Sequence, residues 1–253
     1  MEVHHHSHHP KKWNEYVSEF LMLFFAVFLG FMSEYYLEYK AERHKEHDYL
    51  VSMVEDLKAD TAEISTKVIA MTDLVKSGDK IAEVIYKDNW TDKDVDTIYT
   101  KSINMVTRFV NINFTSGTID QLKNAGGFRL IQNKLIVDKI TDYEKQKTAL
   151  KVQLDAMFDR WSNVHRIQNS LLHLNVFTPN GQLGGVNYDR NMLNKIKART
   201  GSEFLKSNKN DFYQYSNFIN VSKGYVTFYQ MMAMMEKQKA IELIEIIEKE
   251  LTH

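Results

Sequence analysis

Five imidazoles stand within six positions near the start of the chain: His4, His5, His6, His8 and His9. Neutral imidazole is a good ligand for Zn²⁺, Ni²⁺ and Cu²⁺, and a run this dense can chelate such an ion without any fold around it. The same tail gains charge as pH falls below about 6.5. The plainer reading is a solvated, weakly metal-binding tail beside Lys11 and Lys12. No cofactor is expected beyond a divalent transition metal on these histidines. A second group is Glu19, Ala26, Gly30, Ser33 and Glu34, which share one face of a helix. Ala26 and Gly30 form a small-xxx-small pair that lets membrane helices approach closely, and ionisable residues in a span face protein or water. This predicts self-association through the membrane and, in its sharper form, a pore lined by Glu19. Against the pore, the two glutamates are about 22 Å apart along a helix, which places both at the membrane interfaces. A third group is Glu34, Glu38, Glu42 and Glu46, at four-residue steps. In a parallel oligomer these would stack as acidic rings at a pore mouth and concentrate cations. In a single helix they form a solvated face, offset by Arg43 and Lys45 nearby.

The remaining groups are weaker. His44 and His47 lie one turn apart, with Asp48 four residues after His44, but two imidazoles and a carboxylate do not define a specific metal site. Met231, Met232, Met234 and Met235 include soft thioether donors. Beside Phe228 and Tyr229 they read better as adaptable core or interface packing. His165 and His173 sit near Asp159 and Trp161 on a long helix, where partly buried, hydrogen-bonded histidines are the ordinary outcome. The catalytic arrangements are missing from the sequence: no cysteine, no GxSxG elbow, no HExxH, and no Walker or Rossmann glycine set. An enzyme is not expected.

The elements that position these groups are helices. No proline occurs between Pro10 and Pro179, so long helices are permitted. From Leu50 a seam runs through Val54, Leu57, Thr61, Ile64, Val68, Met71 and Val75, with the alternating four-three spacing of packed helices. Gly78 reads as its stop. A second seam links Ile136, Ile140, Tyr143, Lys147, Leu150, Leu154, Met157, Trp161, Val164, Gln168 and Leu171, with Asn133 as its N-cap. Between the two, residues 92–113 read as a helix. A shorter helix follows, with Thr118 and Gln121 in capping-box spacing and Gly126 and Gly127 at its end. The segment 176–189 is a surface loop or small hairpin, and a last helix covers about 212–251.

Residues 20–32 (FLMLFFAVFLGFM) carry no charge. Thirteen helical residues cover only about 20 Å of a hydrocarbon layer of about 30 Å. Trp13 and Tyr16 before the run, and Tyr35, Tyr36 and Tyr39 after it, supply the aromatic belts that extend it to a full span. A cleaved signal would need a small-residue site after Met32, and bulky residues stand there instead. A buried core helix is the other alternative. The expected organisation is a His-rich tail (1–15), a transmembrane helix (16–36) and a soluble helical bundle domain (37–253). The fold class is all-α, an N-terminal single transmembrane helix continuing into a long-helix antiparallel bundle. The lysines and arginines flanking the span are nearly balanced, and the short tail favours a cytoplasmic N-terminus with the bundle on the other side.

The opening MEVHHHSHHPKKW and the following EFLMLFFAVFLGFMSE resemble the start of an uncharacterised family of single-pass, His-rich-tailed membrane proteins common in Bacteroidetes. GTIDQLKNAGGFRLIQNKLIVDKITDYE (117–144) is similar to a recurring block in the same proteins. These blocks cover about a quarter of the 253 residues. Tyr35 and Tyr36 depart from the family pattern, where a small or amide residue is expected. The family carries no established activity, so the resemblance implies location and fold: a bacterial inner membrane, with native histidines in the tail. The net charge of −1 argues against nucleic acid as a partner, since phosphate neutralisation needs an excess of Lys and Arg. The function expected is that of a membrane-anchored, self-associating helical scaffold that binds lipid and another protein. The alternative is a small homo-oligomeric ion channel, or a metal- or pH-responsive membrane protein, built on Glu19, the acidic stripe and the histidine tail.

Overall fold

The computed structural model describes residues 12–107, 110–124, 126–173 and 203–252. Five α-helices account for nearly all of them: α1 (Trp13–Ile85), α2 (Asp92–Thr107), α3 (Gly117–Asn124), α4 (Lys134–Leu171) and α5 (Lys209–Leu251), with a 3-10 turn at Gly127–Leu130. No strand occurs among the described residues, and the single β-bridge joins Leu172 to Phe204. The fold is all-α.

The chain runs up, down, up and down. α1 leads away from its apolar end, and α2, the extended residues 110–116 and α3 return along it as one interrupted column. α4 climbs again and α5 descends between α1 and α4. Polar contacts between the helices fix these directions. At the far end Lys209, in the first turn of α5, donates to the carbonyl of Lys87 at 2.6 Å. At the near end Lys58 of α1 meets Glu248 at 2.7 Å, and Asn133 donates to Glu250 at 2.6 Å. The antiparallel bundle expected from the two seams is the one observed.

Two apolar clusters form the core. Near the base, Leu50, Met53, Leu57, Ile136, Ile140, Leu243 and Ile247 meet Ile119 and Leu122 of α3. Farther up, Ile64, Met71, Leu74, Ile81 and Ile85 pack against Val164, Leu171, Ile219, Val226 and the α2 residues Ile98, Tyr99 and Ile103. The far end is closed by aromatics. Trp90, Phe204 and Phe212 stand edge to face at centroid distances of 4.7–5.6 Å, and Tyr99 stacks on Phe204. Such pairs add stability beyond the area they bury.

Several local expectations are corrected. The α1 seam is buried at Leu50, Val54, Leu57, Ile64 and Met71 as expected, but Asp60 and Leu74 are buried where Thr61 and Val75, one residue on, are only partly so. α1 is packed by both α5 and the second column, so its buried arc is wider than one heptad stripe. Gly78 is not a stop, because α1 continues to Ile85. A Cβ on Gly78 would stand 2.9 Å from Ile219 and 2.7 Å from Lys223 of α5, so this glycine serves close helix contact. The third helix starts one residue before Thr118, and the capping box does not form. The backbone N–H groups at its entry go instead to carboxylates of α1. Residues 92–113 are helical only to Thr107. The α4 prediction holds in detail: Asn133 caps the helix by accepting from the N–H of Leu135 at 3.0 Å, and Gln168 is buried. The loop at 176–189 lies outside the described residues.

α1 is about 110 Å long at the usual helical rise. Residues 13–41 are all exposed, including Phe20, Phe24, Phe28 and Phe31. Among the described residues this is the one helix long and apolar enough to cross a membrane. None of its apolar window is buried, which removes the buried-core alternative.

Candidate functional site

Glu19, Ala26, Gly30, Ser33 and Glu34 all lie on the free part of α1, within one arc of the helix, and all are exposed. A Cβ built on Gly30 meets nothing within 4 Å, so this face is open to a neighbour. The turn of an α-helix puts that arc on the side of α1 opposite Met53, Leu57 and Ile64, which face the bundle. The histidines at 4, 5, 6, 8 and 9 lie outside the described residues.

The acidic stripe does not continue as four equivalent carboxylates. Four-residue steps advance about 40° around a helix, so Glu46 is rotated about 120° from Glu34. That rotation takes it into the bundle. Glu38 is exposed and Glu42 half-buried, but Glu46 is buried, pairs with Arg43 and accepts from the backbone N–H of Gln132 at 2.6 Å. Arg43 also donates to the carbonyl of Leu130 at 2.8 Å. Glu46 therefore clamps the base of α4 to α1. His44 and His47 each stand 3.7 Å from Asp48 on the surface, and no group of three metal-ligating side chains occurs among the described residues.

The densest polar cluster is one that sequence reasoning passed over. Asp56, Asp60 and Glu63 lie on one side of α1, where the second column has lost its helix. Asp60 accepts from the N–H of Thr115 at 2.6 Å, Asp56 from Thr118 at 3.1 Å and Glu63 from Asn113 at 3.4 Å. Extended backbone without a sheet partner must find acceptors or lose about 1–3 kcal/mol per buried group. These carboxylates supply them. Tyr143 of α4 donates to the other oxygen of the buried Asp60 at 2.6 Å. Burial together with the adjacent Asp60 pushes the Tyr143 phenol above its ordinary value.

Beside this pair Lys147 lies over the rings of Phe114 and Tyr143, 5.3 and 5.5 Å from their centroids, and meets Glu144 at 2.9 Å. Burial pushes the Glu144 carboxyl up. Hydrogen bonds from Lys123 and Lys147 outweigh that, and the net direction is down. Glu236 of α5 is fully enclosed and its oxygens have no hydrogen-bond partner among the described residues. Burial raises its carboxyl to about 8, with Lys239 and Lys147 pulling down and Glu144 and Asp60 pushing up. At neutral pH Glu236 is mostly protonated. A cleft of about 570 Å³ opens next to this layer, between the extended segment and α4, lined among others by Asn111, Phe114, Lys147, Lys151, Asp155 and Tyr229. Its two lysines are matched by two acids, Glu144 and Asp155, so the lining has no net charge with which to select a charged substrate.

A different surface is apolar. On α5 the buried positions Ser222, Val226, Tyr229, Ala233, Glu236, Ala240, Leu243 and Ile247 follow a four-three spacing. Val221, Tyr225, Phe228, Met232 and Met235 repeat the same spacing one residue earlier, on the outer side. Val221, Phe228 and Met235 are each about half exposed, and a shallow groove runs from Gln153 of α4 along Val221, Gly224, Tyr225 and Phe228. Arg160 lies over the Tyr225 ring at 5.7 Å. Met231, Met234 and Met235 are on the surface while Met232 packs against the upper core, so the methionine cluster divides between the surface and the core. The sequence signal for this second seam was present, but it overlaps the buried one.

The class these features define is an all-α bundle carried on one helix of membrane-spanning length and composition. Compared with family models, curated proteins and solved structures, the chain matches none of them.

Proposed function

We propose that this protein is a membrane-anchored, self-associating helical scaffold that works by binding another protein and has no catalytic activity. The observation that carries this reading is the outer seam of α5. Val221, Phe228 and Met235 are exposed at seven-residue steps beside an open groove, with Tyr225 and Met232 between them partly buried against the core, and apolar strips of this kind mark interaction surfaces. The spacing suits a partner helix. Self-association is supported by the open Ala26–Gly30 face, which lies away from the bundle and leaves two spans room to meet.

The membrane is proposed to be a bacterial inner membrane, with the His-rich tail cytoplasmic and the bundle periplasmic. The family resemblance of residues 1–13, 19–34 and 117–144 supports the assignment to this membrane.

The mass of the full chain in nanodiscs tests the reading. A dimer or larger closed assembly that persists when Glu19 is replaced by Gln is the expected result. Phe228→Asp with Met235→Asp should abolish capture of a crosslinked partner while leaving helical content unchanged. A monomer overturns the self-association. A symmetric ring with Glu19 on its axis, and ion flux that changes in Glu19→Gln, overturns the scaffold in favour of a channel.

A further inference from the structure

The connection between the span and the bundle is short and has no hinge. α1 is continuous from Trp13 to Ile85, and the first contact with the rest of the fold is made at Arg43 and Glu46. If the span ends near Tyr36, Arg43 stands about 10 Å farther along the helix. The headgroup layer itself occupies about 5–7 Å on each side of the hydrocarbon. The base of the bundle is therefore held at the membrane surface by geometry alone.

The side chains in this interval suit that position. Lys40 lies over the Tyr36 ring at 5.0 Å and Arg43 over the Tyr39 ring at 5.6 Å. Tyrosines that carry cations on their faces are interfacial anchors, with an apolar body and a charged, wet end. Arg43 passes the ladder on to the bundle by donating to the carbonyl of Leu130. That carbonyl belongs to the 3-10 turn whose neighbours form the base: Phe128, Arg129, Lys134 and Leu135. Arg129, Lys134 and Leu135 are exposed, Leu135 by 51%, and Phe128 is half-buried. The base thus pairs a cation with an apolar side chain twice, as Phe128–Arg129 and as Lys134–Leu135. Two acids of the base are engaged within the fold, Glu46 by Arg43 and Gln132 and Glu250 by Asn133, while Glu38, Asp48 and Asp138 stay exposed beside the cations.

We propose that the base of the bundle is a second membrane contact, in which Arg129 and Lys134 bind the phosphates of anionic lipid headgroups while Leu135 and Phe128 enter the interfacial layer. This rests on the reading of α1 as a membrane span. It adds that the bundle lies on its own membrane with fixed orientation. The outer seam of α5, which begins near the far end, is then presented away from the lipid.

The chain contains no cysteine, so single cysteines can carry a fluorophore without background. The full chain is reconstituted in nanodiscs of phosphatidylcholine with phosphatidylglycerol, and labelled at Phe24→Cys, Leu135→Cys or Lys93→Cys. Quenchers are placed on the acyl chains or on the headgroups. Phe24 quenched from the acyl chains establishes the span. The expected result is that position 135 is quenched from the headgroups about three-fold or more over position 93 at the far end, and that Arg129→Glu with Lys134→Glu, or phosphatidylcholine alone, removes most of that difference. Quenching at 24 with none above the position-93 level at 135 overturns the base contact and leaves the anchor standing. Quenching at 135 that is unchanged by both charge reversal and lipid charge overturns the phosphate recognition. No acyl-chain quenching at 24 overturns the anchor itself, and with it the base contact.

Discussion

Glu236 is the residue whose chemistry departs most from its position in the sequence. An unfolded glutamate titrates near 4.5, and burial in the folded bundle raises this one to about 8. The folded state therefore binds the proton more tightly than the unfolded state. The stability that this supplies is complete below pH 4.5 and is lost as pH rises through 8, where the anion must be kept inside the core. Glu236→Gln removes the charge at almost constant volume. In detergent its melting temperature should match that of the parent near pH 4.5 and exceed it by several degrees at pH 9, since a difference of 1 kcal/mol moves a protein of this size by about 2–4 °C. A constant offset between the two proteins across that range would show that the carboxyl does not titrate. His165 does not confuse the test, because burial lowers its pKa and it is neutral over the upper part of the window. Asp60 makes the opposite case. It uses both oxygens, on Tyr143 and on the N–H of Thr115. Asp60→Leu would leave both donors unpaired and should cost about 2–5 kcal/mol, read as a lower denaturant midpoint.

At the scale of the elements, α4 was legible almost residue by residue, and α1 was not. α4 meets α5 along one stripe, so its buried face has a single period, and even the polar members Lys147 and Gln168 fall on it. α1 is gripped from two sides, so a single stripe finds Leu50, Val54, Leu57, Ile64 and Met71 but misses the buried Met53, Asp60 and Leu74 on its flank. The second column shows a different limit. Residues 92–113 have helical periodicity, but the described helix ends at Thr107 and residues 110–116 are extended, where the N–H groups of Asn113 and Thr115 go to carboxylates 50 to 55 residues earlier. No local window contains that information. Gly78 was misread for the same reason, since its requirement comes from α5. Replacing it with Ala gains about 0.5–1 kcal/mol of helix propensity, but the new methyl must displace the fully buried Ile219, and overpacking costs about 1–3 kcal/mol. Gly78→Ala should therefore destabilise the bundle by about 1 kcal/mol, visible in urea unfolding. A stabilised variant would mean that α1 and α5 are not held this closely. At the start of α2, Asp94 accepts from both the N–H and the hydroxyl of Thr91 and pairs with Lys87. These bonds hold its carboxyl at about 2. Its contribution is present above the unfolded carboxylate range and is lost only as pH falls toward 2, so Asp94→Asn should lose stability at neutral pH and converge with the parent in strong acid.

For the whole molecule the proposed self-association has two candidate surfaces, and they are far apart. The Ala26–Gly30 face would act inside a membrane and the outer seam of α5 outside it. Both cannot be tested in one variant, but the fold offers a place to cut. Everything that holds the base of the bundle to α1 begins at Arg43: its bonds to Glu46 and Leu130, the bond from Gln132 to Glu46, and then the Leu50 layer. A chain starting at Lys40 keeps all of these and loses the apolar span. It should be soluble, fully helical by circular dichroism and cooperative in unfolding. A chain starting at Asp48 loses the Arg43–Glu46 clamp, exposes the N–H of Gln132 and should melt earlier, by an amount consistent with two or three lost hydrogen bonds at about 1 kcal/mol each. The mass of the longer fragment then separates the two surfaces. A monomer assigns association to the span, with the α5 seam left for a different partner. A dimer that Phe228→Asp dissociates assigns association to the seam, and the open face of the span is then only a lipid-facing one. A fragment that does not fold would mean that the membrane part of α1 contributes to the stability of the bundle, against the exposure of every residue from 13 to 41.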